Sequence, residues 1–128
     1  MQAYLLVFLG AGIGGALRHG VNVGCARYCG VGFPYGTLAV NVAGSFIMGV
    51  LAAWLAFKAG DGWSQPLRLF LTTGILGGFT TFSAFSLDAV MLWERGQAGL
   101  ALGYVAASVA LSIAGLAGGL ALARTIAA

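Results

Sequence analysis

Thr37, Asn41 and Ser45 recur at four-residue spacing, as do Tyr104, Ser108 and Ser112, and both sets lie in otherwise apolar stretches. Such spacing stacks each set along one face of a helix. Gly49 continues the first stripe. A row of hydroxyl and amide groups on an apolar helix has two readings. One is hydrogen bonding between helices, worth about 0.6 kcal/mol per contact in lipid. The other is a polar track that an ion can follow, and the spacing leaves both open.

The segment from Thr72 to Ser86 is the most unusual part of the chain. Phe79, Phe82 and Phe85 are spaced by three and interleaved with Thr80, Thr81, Ser83 and Ser86. Aromatic ring edges are electropositive, so edges and hydroxyl donors together could hold a small anion. Ordinary ring packing is the plainer reading. Gly77 and Gly78 followed by Thr80 and Thr81 make a poor helix, since each glycine costs about 1 kcal/mol relative to alanine. A break here would free backbone carbonyls at membrane depth, where they are tolerated only against protein, water or an ion. A glycine kink or packing notch is the plainer alternative.

What the sequence lacks also narrows the chemistry. A proton-coupled exporter needs a titratable acid inside the membrane. Asp88 and Glu94 are the candidates, both toward the end of the third apolar stretch, and the other stretches hold no acid. There is no Ser/His/Asp set, metal-ligand cluster or phosphate loop with a lysine, so the residues point away from an enzyme. Cys25 and Cys29 lie four apart near His19. A disulfide or a metal site would use them, but a zinc site wants four ligands and no other Cys or His exists. Two free thiols are the reading. The net charge of +3 comes from too few, too scattered residues to form a nucleic-acid patch.

The elements that must position these groups follow from composition. The 128 residues are 60% hydrophobic and 7% charged, where a soluble domain carries about a quarter charged residues. A membrane span needs about 20 apolar residues. The reading is an all-α membrane protein, a single transmembrane domain over 1–128 with four helices at about 3–27, 37–57, 66–93 and 98–123. No basic run precedes the first stretch, which is therefore expected to be a retained helix rather than a signal peptide. Gly30, Gly32, Pro34 and Gly36 mark the first loop, Lys58 to Pro66 the second, and Glu94 to Gln97 the third. Pro66 suits a first helical position. Gly10 and Gly14, flanked by Ala11 and Gly15, form a small-residue face for close helix approach. Trp63 and Trp93 fall where interfacial aromatic belts lie.

Basic residues normally set orientation. In a four-span chain, Lys58, Arg68 and Arg124 share one side, and Arg18, Arg27 and Arg95 share the other, dividing the six evenly. With Arg18 counted inside the first helix the division stays close. Such balance permits insertion both ways and hence an antiparallel homodimer. The competing reading is one orientation fixed by features other than charge.

The run from Gly77 through Phe82 and Phe85 to Ser86 resembles the third-helix signature of the Fluc family of fluoride channels. The stretch from Gly36 through Asn41 to Ser45 and that from Gly14 to Arg18 are similar to the same family on the second and first segments. The matches occur in order and span essentially the whole chain. The resemblance implies a dual-topology antiparallel homodimer in the bacterial inner (plasma) membrane with a broken third helix. It implies two pores along the dimer interface and a structural sodium ion on the two-fold axis, held by the backbone carbonyls of Gly77 and Thr80. It further implies that Phe82 and Phe85 are pore aromatics and that Asn41 offers its amide to fluoride. Thr81 is a further donor. Tyr104, Ser108 and Ser112 form the polar track, and Arg18 faces an aqueous vestibule. Passive fluoride export is the implied activity. Two other functions compete on the residues: a dual-topology small multidrug transporter, disfavoured by the absence of an acid in the first helix, and a non-transporting assembly subunit.

Overall fold

The computed structural model describes residues 2–57 and 61–127. Lys58, on which the charge division leans, lies outside the described residues, and so does the side chain of Trp63. Every regular element described is a helix: α1 (Gln2–Cys29), α2 (Tyr35–Phe57), α3 (Asp61–Arg68), a π-helix (Leu69–Leu76), α4 (Gly77–Phe79), α5 (Phe82–Glu94) and α6 (Ala98–Ala127). Among the described residues four stretches are long and apolar enough to cross a membrane: Gln2–Cys29, Tyr35–Ala56, Gln65–Glu94 and Ala98–Ile126. The chain is thus an all-helical, multi-pass membrane protein, as composition required.

Local chemistry sets the ends. Beyond α1, Gly30 takes φ +87°, a left-handed conformation that favours glycine. At the end of α5, Gly96 takes φ +80°. There the Gly96 amide donates to the Trp93 carbonyl at 3.1 Å and the Gln97 amide to the Leu92 carbonyl at 3.0 Å. This Schellman pairing satisfies carbonyls that a helix end would leave open.

The third span departs most from a regular helix. Its apolar stretch begins at Gln65, beside the expected start, but Pro66 is not the first helical position: α3 begins at Asp61 and Pro66 lies inside it. The chain then widens into π winding, in which the Gly77 amide reaches the carbonyls of Thr72 and Gly74. The break falls at Thr80 (φ −85°, ψ 158°) and Thr81 (φ −155°, ψ 122°), both extended. Gly77 and Gly78, the residues of lowest helix propensity, stay helical. The threonine hydroxyls offer competing local bonds, which is how Thr disfavours helix interiors and favours caps. The Thr80 hydroxyl donates back to the Leu76 carbonyl at 2.9 Å. The Thr81 hydroxyl accepts from the Ala84 amide at 3.2 Å and caps α5.

Glycines decide the packing. A Cβ at Gly14 would collide with the Ile75 carbonyl, one at Gly78 with the backbone of Ala11, and one at Gly10 would lie 2.7 Å from the Phe70 carbonyl. So α1 lies backbone to backbone along the π-helix and α4, the use expected of Gly10 and Gly14. In the same way Gly49 meets the Leu116 carbonyl and Gly119 the Phe46 carbonyl, drawing α2 and α6 together. Phe85, Leu92, Ala101 and Tyr104 form the buried cluster between α5 and α6. Much of the remaining apolar surface, including Tyr4, Phe8, Ile113 and Ile126, is exposed on the single chain. Only lipid or another membrane protein can cover such a surface.

Candidate functional site

The threonine break is anchored to α2 by one side chain. The Thr81 amide donates to Asn41 Oδ1 at 2.8 Å, and Asn41 Nδ2 donates to the Thr81 carbonyl at 3.0 Å. The pairing fixes the orientation of the amide, because only its oxygen can accept from a backbone N–H. One N–H of Asn41 is left over. On the α1 side, Arg18 Nε donates to the Gly78 carbonyl at 3.1 Å. Among the described residues no donor reaches the carbonyls of Gly77 and Thr80.

A groove of about 430 Å³ opens beside the break, walled by α2, α5 and α6. Asn41 and Ser45 come from α2, Thr80 and Thr81 from the break, Phe82 and Phe85 from α5, and Ser108 and Ser112 from α6. Two residues of each polar stripe, Asn41 with Ser45 and Ser108 with Ser112, therefore face one space. Ser108 is 5% exposed, and its hydroxyl has no hydrogen-bond partner among the described residues. An unpaired buried hydroxyl costs about 1–3 kcal/mol, unless something in the groove takes the bond. Among the described residues no carboxylate lines this groove. Its polar groups are hydroxyls, an amide and ring edges, a set that suits an anion.

The two pore aromatics expected from the sequence differ in setting. Their centroids lie 5.4 Å apart. Phe85 is 8% exposed and packs against Tyr104 at 5.2 Å, whereas Phe82 is 77% exposed and points off the single chain. Tyr104 does not line the groove. It is wholly buried behind Phe85, with its hydroxyl donating to Asp88 Oδ2 at 3.2 Å and its ring edge-on to Phe33 at 5.4 Å. Beyond it, Thr37 and Asp88 line a second, polar hollow of about 340 Å³ with Asn22, Cys25 and Arg95. Arg18 lies within α1, half-buried against the break, rather than in a loop. Cys25 and Cys29 are both free thiols.

The sequence offers Asp88 only as an acid toward the end of the third apolar stretch, and its bond to Tyr104 is a finding of the structure. The signal was present: Asp88 follows Phe85 by three residues, which puts both on one face of α5. Thr37 continues the Asn41 and Ser45 stripe in the sequence, but at its position the stripe turns into the second hollow.

Four spans, a third one broken by extended backbone, and an acid-free polar groove at the break define a membrane protein built around an intramembrane site. The model of a family described as CrcB-like protein, Camphor Resistance (CrcB), matches residues 5–120. The chain belongs to the CrcB family. A relative from Rhodopseudomonas palustris (strain BisB5), named fluoride-specific ion channel FluC, is 60% identical over 98% of this chain and 99% of its own length. A relative named fluoride-specific ion channel FluC 2 comes from Nitrobacter hamburgensis, with 55% identity over 94% of this chain and 96% of its own, and one named fluoride-specific ion channel FluC from Methylobacterium sp. (strain 4-46), with 61% over 88% and 89%. With bacterial relatives and four spans, the chain is a multi-pass protein of the bacterial inner membrane.

Proposed function

We propose that this chain is a fluoride-selective channel and not an enzyme, passively exporting fluoride through two pores at the interface of an antiparallel, dual-topology homodimer. The observation that carries the reading is the groove that gathers Asn41, Thr81, Phe82, Phe85, Ser108 and Ser112 with no carboxylate. The names of its relatives point the same way. Fluoride is small and strongly hydrated, so a pore must replace its water with several donors at close range. The unpaired Ser108 hydroxyl, the remaining N–H of Asn41 and the ring edges of Phe82 and Phe85 are such donors. The groove is open on the single chain, and Phe82 in its wall is largely exposed. A second copy would close it and give Phe82 a neighbour. Tyr104, with Thr37 and Asp88, would lie toward one mouth of the track, and Arg18 would add positive potential near the break.

A structural sodium ion fits the break. The carbonyls of Gly77 and Thr80 are without a donor among the described residues, and hard cations take oxygen ligands. One chain offers too few oxygens, and a second copy related by a two-fold axis would double them. Bound there, the ion would supply charge to satisfy carbonyls that lipid cannot.

The test is ion efflux from liposomes holding the purified protein, fluoride against chloride. Fast fluoride efflux without chloride efflux, lost in Phe82→Ala, is expected. Well-folded protein that passes no fluoride would overturn the reading and leave a transporter or an assembly subunit.

A further inference from the structure

We propose that Arg18 and Asn41 form a two-point brace that holds the broken third span open, making both positioning residues rather than only groups that meet the anion. This rests on the channel reading above, but the brace itself is argued from the hydrogen bonds. Arg18 Nε takes the Gly78 carbonyl, on the helical side of the break, and Asn41 takes both the amide and the carbonyl of Thr81, on its far side. Without the brace, the Thr81 amide could turn back to the Gly77 carbonyl and close a helical turn. That rearrangement would consume a carbonyl now available for a cation. It would also withdraw the Thr81 hydroxyl from capping α5 through the Ala84 amide, and so move Phe82 and Phe85. The brace joins three elements that otherwise meet through small residues: Gly14 and Gly78 let α1 approach, and Gly44 lets α2 approach Thr80. Those close approaches put the two polar side chains within reach of the backbone.

The roles separate by substitution. Arg18→Gln keeps an N–H donor and loses the charge, whereas Arg18→Ala loses both. Asn41→Leu removes both bonds to Thr81, and Asn41→Asp keeps only the acceptor. The readouts are the sodium concentration that half-maximally raises the melting temperature of the detergent-solubilised protein, and fluoride efflux. Arg18→Ala and Asn41→Leu should raise that sodium concentration roughly tenfold, on the scale of one lost backbone hydrogen bond, and should slow efflux. Arg18→Gln should keep the sodium response within about twofold, the margin of a retained neutral bond. Asn41→Asp should fall between the wild-type protein and Asn41→Leu. Arg18→Gln behaving as Arg18→Ala would overturn the brace at Arg18 in favour of charge alone. Folded Arg18→Ala and Asn41→Leu variants with a wild-type sodium response would overturn the whole proposal.

Amide hydrogen exchange on the unmodified protein covers variants that do not fold. The Thr81 amide should be protected although it lies outside any helix, and rapid exchange there would sink the brace. Failure of the channel reading shows differently, as absent fluoride efflux with the Thr81 amide still protected.

Discussion

Phe82 and Phe85 are three residues apart and chemically identical, yet one chain gives them opposite tasks. Phe85 is buried against Tyr104, and Phe82 is exposed. Phe85→Ala should therefore cost about 3 kcal/mol of folded stability, on the scale of a large buried ring, and lower the melting temperature. Phe82→Ala should leave the fold of each chain nearly unchanged and abolish fluoride efflux. Melting curves beside efflux rates on the two variants check this, and equal destabilisation would refute the division of labour. Asn41 has a similar dual character. Its residue type on an apolar helix was legible as a polar group needing a partner. That its partner is the backbone of a residue 40 positions away required the fold.

At the scale of elements, α1 binds the third span through glycine faces rather than side-chain interlock. Gly14→Ala places a methyl group against the Ile75 carbonyl, and backbone cannot yield as a side-chain tip can. Gly12 has nothing within 4 Å of the same added atom. Gly14→Ala should accordingly weaken the protein by about 1–3 kcal/mol, as overpacking does, whereas Gly12→Ala should be neutral. Thermal unfolding in detergent distinguishes them. The location of the break belongs to this scale too. Propensity pointed to the glycine pair. The glycines remain helical because Gly78 presses on Ala11, while the threonines accept caps and the Asn41 bonds. Propensity measures an isolated helix and says nothing of contacts that hold a weak turn in place.

For the whole molecule, the open groove, the outward Phe82 and the extensive exposed apolar surface all call for a covering body. With Arg18 inside α1, the remaining basic residues divide nearly evenly between the two sides, which suits a second copy inserted upside down. A single cysteine at Gln97, in a background without Cys25 and Cys29, should label from both faces of the membrane in comparable amounts. Labelling from one face alone would refute dual topology and with it the antiparallel pair.

By itself the sequence determined the solvent and the secondary structure, because 60% hydrophobic residues in four long runs have one stable arrangement in a bilayer. It also displayed the chemistry of the site, since polar side chains are conspicuous on apolar helices. Tertiary structure decided what those groups face. It brought the stripes of Asn41 and Ser45 and of Ser108 and Ser112 to one groove, and moved Tyr104 out of that groove to Asp88. It also placed Arg18 on the Gly78 carbonyl. Helical periodicity fixes which residues share a face, but not the rotation of that face about its axis. That rotation is set by the glycine contacts between helices, which exist only once the helices have packed.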